Sequence, residues 1–106
     1  MNHARIEGRT IALHREIAGR IKENPALLKV ARANLRHWFL QGGERSYWKE
    51  WEKLLAGPLA DLLAFMVSPE EKAWWLRQSS PFCGILTPLE RWNIYESFLE
   101  SIGEHG

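Results

Sequence analysis

The chain has 106 residues, 45% of them hydrophobic and 25% charged, with a formal net charge of +1; this suffices for one packed core without disulfide or metal staples and makes a second domain improbable. No apolar run approaches the roughly 20 residues a membrane-spanning helix needs, and the charged start, Met1 to Arg9, has no apolar segment after it of the secretory kind. A lone Cys83 excludes an internal disulfide, and these features together lead to the expectation of a cytoplasmic protein with no membrane contact.

Charge is unevenly spread. Residues 1–45 carry nine Lys/Arg against four Glu, whereas residues 46–106 carry five against nine acidic residues. A basic half draws nucleic acid or an acidic protein surface, or it is simply a set of solvated helix faces. Ile6-Glu7-Gly8-Arg9 matches a cleavage sequence used to remove expression tags. Residues 1–9 are therefore read as a flexible start or tag remnant, and residues 10–103 as a single helical domain.

From Thr10 to Lys22, Leu13, Ile17 and Ile21 recur every four residues while Arg15, Arg20 and Lys22 fall off the stripe, which predicts an amphipathic first helix. Asn24-Pro25 reads as an N-cap followed by proline at the first helical position. The second helix then presents Leu27, Leu28, Ala31, Leu35, Trp38 and Phe39 on one face and Lys29, Arg32 and Arg36 on another, ending at Gly42-Gly43. Ser46 is placed to cap a third helix built on Tyr47, Trp51, Leu54 and Leu55.

Proline is tolerated in a first turn but not in a helix interior, so Pro58 opens a fourth helix that runs to Val67. Its Leu59, Leu62, Leu63 and Met66 make it the expected centre of the molecule. Ser68-Pro69-Glu70-Glu71 has the spacing of a capping box and predicts a short fifth helix over 69–78. Thr87-Pro88-Leu89-Glu90 repeats the device ahead of a sixth helix with Leu89, Trp92, Tyr95, Phe98, Leu99 and Ile102 at helical spacing up to Gly103. Nothing alternates with the period of a strand. The expected fold is all-α, a compact bundle of five or six short helices, with the fourth and sixth at its centre and the loop 79–87 closing one end.

The chemistry-bearing residues form no recognisable catalytic signature. His3, His14, His37 and His105 have no partners at metal-ligand spacing, so neither a metal nor a cofactor is expected. His37 reads as an ordinary surface or core histidine. Cys83 reads as a small buried hydrophobe, and Ser79 and Ser80 as turn formers, because nothing in the sequence links any of them to a base. Gly42-Gly43 lacks the strand and Lys-Ser/Thr tail of a phosphate loop. A small enzyme using Cys83 or a histidine is the least supported class.

Six Trp in so short a chain imply that something broad and apolar is covered. Trp38, Trp51 and Trp92 coincide with apolar stripes and are expected in the core. Trp48 and Trp75 fall beside stripes, and Trp74 fits either place. Aromatics near Lys72 and Arg77 suit a protein interface or packing beneath the 79–87 loop.

The segment Arg77-Gln78-Ser79-Ser80-Pro81-Phe82-Cys83-Gly84-Ile85-Leu86-Thr87-Pro88-Leu89-Glu90-Arg91-Trp92, with Trp51-Glu52-Lys53-Leu54-Leu55-Ala56-Gly57-Pro58 and Asn24-Pro25 before it, resembles small helical antitoxin components of bacterial toxin–antitoxin modules. The resemblance spans residues 12–102. It implies a protein that occludes a cognate toxin, and many such antitoxins also repress their own operon; the separate DNA-binding domain that some carry has no room here. Trp74, Arg77, Phe82, Ile85 and Arg91 are the expected partner contacts, with the basic face of the second helix steering the encounter. The alternative is a nucleic-acid-binding regulator that uses Arg15, Lys29, Arg32 and Arg36, and a Trp-rich surface also leaves a homodimer open.

Overall fold

The computed structural model describes residues 3–103, with side chains from Gly8 to Glu100. His105 lies outside the described residues, as do the side chains of His3 and Ile102. Six α-helices follow in chain order: α1 (His3–Glu23), α2 (Leu28–Gly42), α3 (Ser46–Ala56), α4 (Leu59–Met66), α5 (Glu71–Arg77) and α6 (Pro88–Gly103). Among the described residues there is no strand, and no helix is long and apolar enough to cross a membrane. The all-α expectation stands.

Helix α1 buries His14, Ile17 and Ile21 at i, i+3 and i+7, and exposes Arg15, Glu16, Lys22 and Glu23. It begins at His3 rather than Thr10, so residues 3–9, expected ahead of the first helix, form part of it. The reason is packing against α6. A Cβ on Gly8 would sit 3.0 Å from the Phe98 ring, and the Arg9 guanidinium lies 5.0 Å from the Tyr95 ring centroid.

Asn24 ends α1 through its N–H to the Arg20 carbonyl at 2.9 Å, but its side chain caps nothing. Pro25–Leu27 form a 3-10 turn before α2 begins at Leu28, so the second helix starts later than the Asn-Pro pair predicts. At its other end Gly43 takes φ 80°, a backbone region that favours glycine, and the chain turns away. A Cβ on Gly42 would lie 2.8 Å from Trp48, which packs against Trp38 and Phe39 at centroid separations of 5.6 and 5.9 Å. Gly42 thus leaves room for the α2–α3 aromatic group.

Helix α3 buries Trp51 and Leu55 and starts at Ser46, so the cap position falls to Arg45, whose side chain makes no cap bond. Pro58 stands immediately before α4, where it accepts the Leu62 N–H at 3.2 Å. Helix α4 packs against α1, α3 and α5, which makes it central as expected. Trp51 is fully buried: its indole N–H donates to the Leu76 carbonyl at 2.8 Å, and its ring meets Phe65 and Phe82 edge to face at 5.7 and 5.3 Å. Of the three Trp expected in the core, Trp51 is buried, Trp38 is half-buried and Trp92 is exposed.

Two devices at serine and threonine diverge. The Ser68 hydroxyl accepts the Glu70 N–H at 3.1 Å, a local turn rather than a capping box, and α5 begins only at Glu71. At Thr87 the box is complete, with the Thr87 N–H on Glu90 Oε1 at 2.8 Å and the Glu90 N–H on Thr87 Oγ1 at 3.1 Å. Thr87→Ala is therefore expected to cost about 1 kcal/mol, read as a lower midpoint in urea with unchanged slope.

Helix α6 is not central. It packs chiefly along α1, where Arg20 reaches Glu90 at 2.6 Å. Its inner side offers half-buried Ile94, Tyr95 and Phe98, while Leu89, Trp92 and Leu99 face outward.

Candidate functional site

The loop after α5 is built inward. Ser79 donates its N–H to the Leu76 carbonyl at 3.1 Å, Pro81 and Phe82 are buried beneath it, and Leu86 closes the far side. From α2, the Asn34 amide donates to the carbonyls of Pro81 (2.8 Å) and Cys83 (2.9 Å). At Gly84, φ is 96°, which turns the chain so that Ile85 lies half-buried against the core. Cys83 is left exposed, contrary to the expectation of a small buried hydrophobe.

From α1, His14 fastens the same loop. Its Nδ1 lies 2.8 Å from the Thr10 carbonyl, which can only accept, so Nδ1 carries the proton and Nε2 accepts the Ser80 hydroxyl at 2.9 Å. Ser80 Oγ in turn accepts the Phe82 N–H at 3.3 Å. Burial holds the imidazole down at a pKa of about 4, against the raising effect of the Thr10 bond and with the Arg77 charge lowering it further. Hydroxyl and imidazole have the spacing of a nucleophile and its base, yet a ring that resists protonation is a weak proton acceptor. The evident work of the pair is to lock the loop to α1.

Arg77 and Phe82, both expected on a contact surface, are only 3% and 1% exposed. Arg77 Nη1 donates to the carbonyls of Met66 (3.1 Å) and Ser68 (2.8 Å), placing a cation at the C-terminal end of α4, where it is electrostatically favoured. Phe82 fills the space between Trp51 and His14. Trp74 is half-buried with its ring 4.5 Å from that of exposed Trp75, and Arg91 is exposed. The expected contacts therefore do not form one exposed patch.

Two surface features take their place. A cleft of about 390 Å³ opens between α1, the loop and α6; Arg77 and Arg91 line it together with His14, Gln78, Ser80 and Tyr95. On the outer side of α6, Leu89, Trp92 and Leu99 at i, i+3 and i+10 are 67%, 58% and 44% exposed, and Glu96 and Glu100 accompany them on that face.

Of the residues proposed for nucleic acid, Lys29, Arg32 and Arg36 stand at i, i+3 and i+7 on α2, whereas Arg15 is on α1. Arg15 lines a groove against α6 with Asn93 and Phe98, whereas Arg32 and Arg36 line another against α3, together with Glu52 and Ala56. Arg32 Nη2 donates to the Leu55 carbonyl at 3.2 Å, and Lys29 is exposed on α2. Among the described residues no group of three or more His, Cys, Asp or Glu is placed to hold a metal ion.

Sequence reasoning missed the His14–Ser80 pairing and the outer face of α6. One signal for the first was present: His14 stands at i−3 and i−7 from Ile17 and Ile21, so a polar ring falls on an apolar stripe and needs partners there. No family model, curated protein or solved structure matches the chain, so the functional reading rests on its own residues.

Proposed function

We propose that this chain acts by binding another protein through the outer face of α6, in its most specific form as a cytoplasmic antitoxin that occludes a cognate toxin. The observation that carries the reading is the exposed Leu89–Trp92–Leu99 stripe on a helix held chiefly by α1. Large apolar side chains arrayed along one helical face are the anchors of helix-in-groove recognition, and Trp is the residue most enriched among interface hot spots. Glu96 and Glu100 beside the stripe call for a partner whose apolar groove is rimmed by basic side chains. Steering thus comes from the acidic C-terminal half, not from the basic face of α2.

The test is capture of partners from the native host by the tagged chain at low and high salt, repeated with Trp92→Ala and Leu89→Ser. The expected result is one protein retained at near-equal stoichiometry and weakened about 30-fold by Trp92→Ala, equivalent to roughly 2 kcal/mol, with helical content unchanged. Expression of that protein alone should arrest growth, and co-expression of the wild-type chain but not the Trp92 variant should restore it. Retention of the same partner at undiminished affinity by both variants would remove the α6 face from the reading.

A further inference from the structure

We infer that the cleft between α1, α6 and the 78–87 loop is a binding site for a small organic acid, with its carboxylate at Arg91 and Arg77 and its apolar body on the floor between them. The inference is independent of the reading of α6 as a protein-binding face.

The volume, about 390 Å³, falls within the roughly 300–1,000 Å³ typical of small-molecule sites. Charge decides the class. Two arginines line the cleft and, among the described residues, no Asp or Glu does. Two carboxylates of the flanking helices are paired with Arg20, Glu90 at 2.6 Å and Glu16 at 3.5 Å. His14 stays neutral, so the positive potential belongs to the guanidinium groups, and Arg9 over the Tyr95 ring adds to it at the edge.

The two arginines differ in their setting. Arg77 is buried and oriented by the Met66 and Ser68 carbonyls, whereas Arg91 is exposed and free to close on a ligand. A planar fork of donors matches the two oxygens of a carboxylate. Gln78 and Tyr95 supply further polar contacts, and Leu13, Ile17, Phe82 and Leu86 form the apolar floor. A bare inorganic anion would leave that floor wet; an aromatic or branched aliphatic acid would cover it.

Hydrocinnamate and its uncharged amide, titrated separately into the full chain and followed by heteronuclear NMR, test the assignment. Saturable shifts at the cleft residues are expected for the acid, with the amide about tenfold weaker or worse, since a charge-assisted hydrogen bond contributes roughly 1.5 kcal/mol or more. Arg91→Gln, a surface change that leaves the fold intact, should weaken the acid by a similar factor. A peptide ending in a free phenylalanine carboxylate distinguishes sources: tighter binding than hydrocinnamate assigns the acid to the chain end of a partner, and no gain assigns it to a free metabolite. Three results would overturn the inference: no saturable binding of the acid, equal binding of the amide, or displacement of the acid by an equal concentration of inorganic phosphate.

Discussion

Trp51→Ala is expected to lower the stability of the fold by about 3–5 kcal/mol, the range for emptying a fully buried large aromatic site. That loss is a large share of the roughly 5–15 kcal/mol available to a domain of this size. The magnitude follows from position. The indole lies where α3, α4, α5 and the following loop converge, against Phe65 and Phe82 and on the Leu76 carbonyl. Trp51→Phe separates the contributions. It keeps much of the apolar fill and removes the N–H donor, yet Leu76 still accepts the Ser79 N–H at 3.1 Å, so no carbonyl is orphaned. The loss there should be closer to about 1–2 kcal/mol. Urea unfolding followed by far-ultraviolet circular dichroism measures both. A Trp51→Ala loss below about 1 kcal/mol would show that the aromatic cluster is not the keystone of the core.

Acid should destabilise the protein in a window set by His14. In the folded chain its pKa is held down at about 4, while in the unfolded chain it returns to 6.5. Between these values the unfolded state binds more protons, so stability present at neutral pH is lost as pH falls from about 6.5 through about 4. The shift corresponds to roughly 3 kcal/mol. The groups that face the ring work in one direction: protonating Nε2 forfeits the Ser80 hydroxyl as donor and sets a second cation near Arg77. Glu50 and Glu90, whose carboxyls are held below their ordinary range chiefly by Lys72 and by the Thr87 N–H respectively, add to acid lability only beneath pH 4.5. The interval above that belongs to His14 among these three groups. Midpoints in urea at pH 7, 6 and 5 should fall steadily for the wild-type chain and much less for His14→Gln. Parallel curves for the two proteins would remove the histidine from the account.

The parts of the fold legible in the sequence are those written locally. Thr87 and Glu90 are three residues apart, and their reciprocal bonds follow from that spacing alone, so the start of α6 is found where it was expected. Pro58 before α4 is the same kind of signal. Ser68 has equally good spacing, but its hydroxyl turns to the Glu70 N–H instead, because two arrangements of a local hydrogen bond differ by little.

Which helix occupies the middle is not a local property. Apolar residues on both sides of α6 resemble those of a buried helix, and only the tertiary arrangement shows that Ile94 and Phe98 face α1 while Trp92 faces solvent. The candidate site suffered for the same reason. An apolar loop either tucks in or reaches out, and what decides for Phe82 is a cluster of residues from α1, α2 and α3, distant in sequence: His14, Asn34 and Trp51. Arg91 alone of the five expected contacts is both exposed and part of a cleft.

The pairing of α1 with α6 joins the first described helix to the last described one: the Phe98 ring reaches Gly8 across the whole intervening chain. During synthesis that side of α1 emerges long before the helix that covers it. At ordinary elongation rates of about 5–20 residues per second, the interval is roughly 5–20 s. Helices α2 to α5 can gather on the other side meanwhile, and the nascent chain carries an open seam along α1 until α6 arrives.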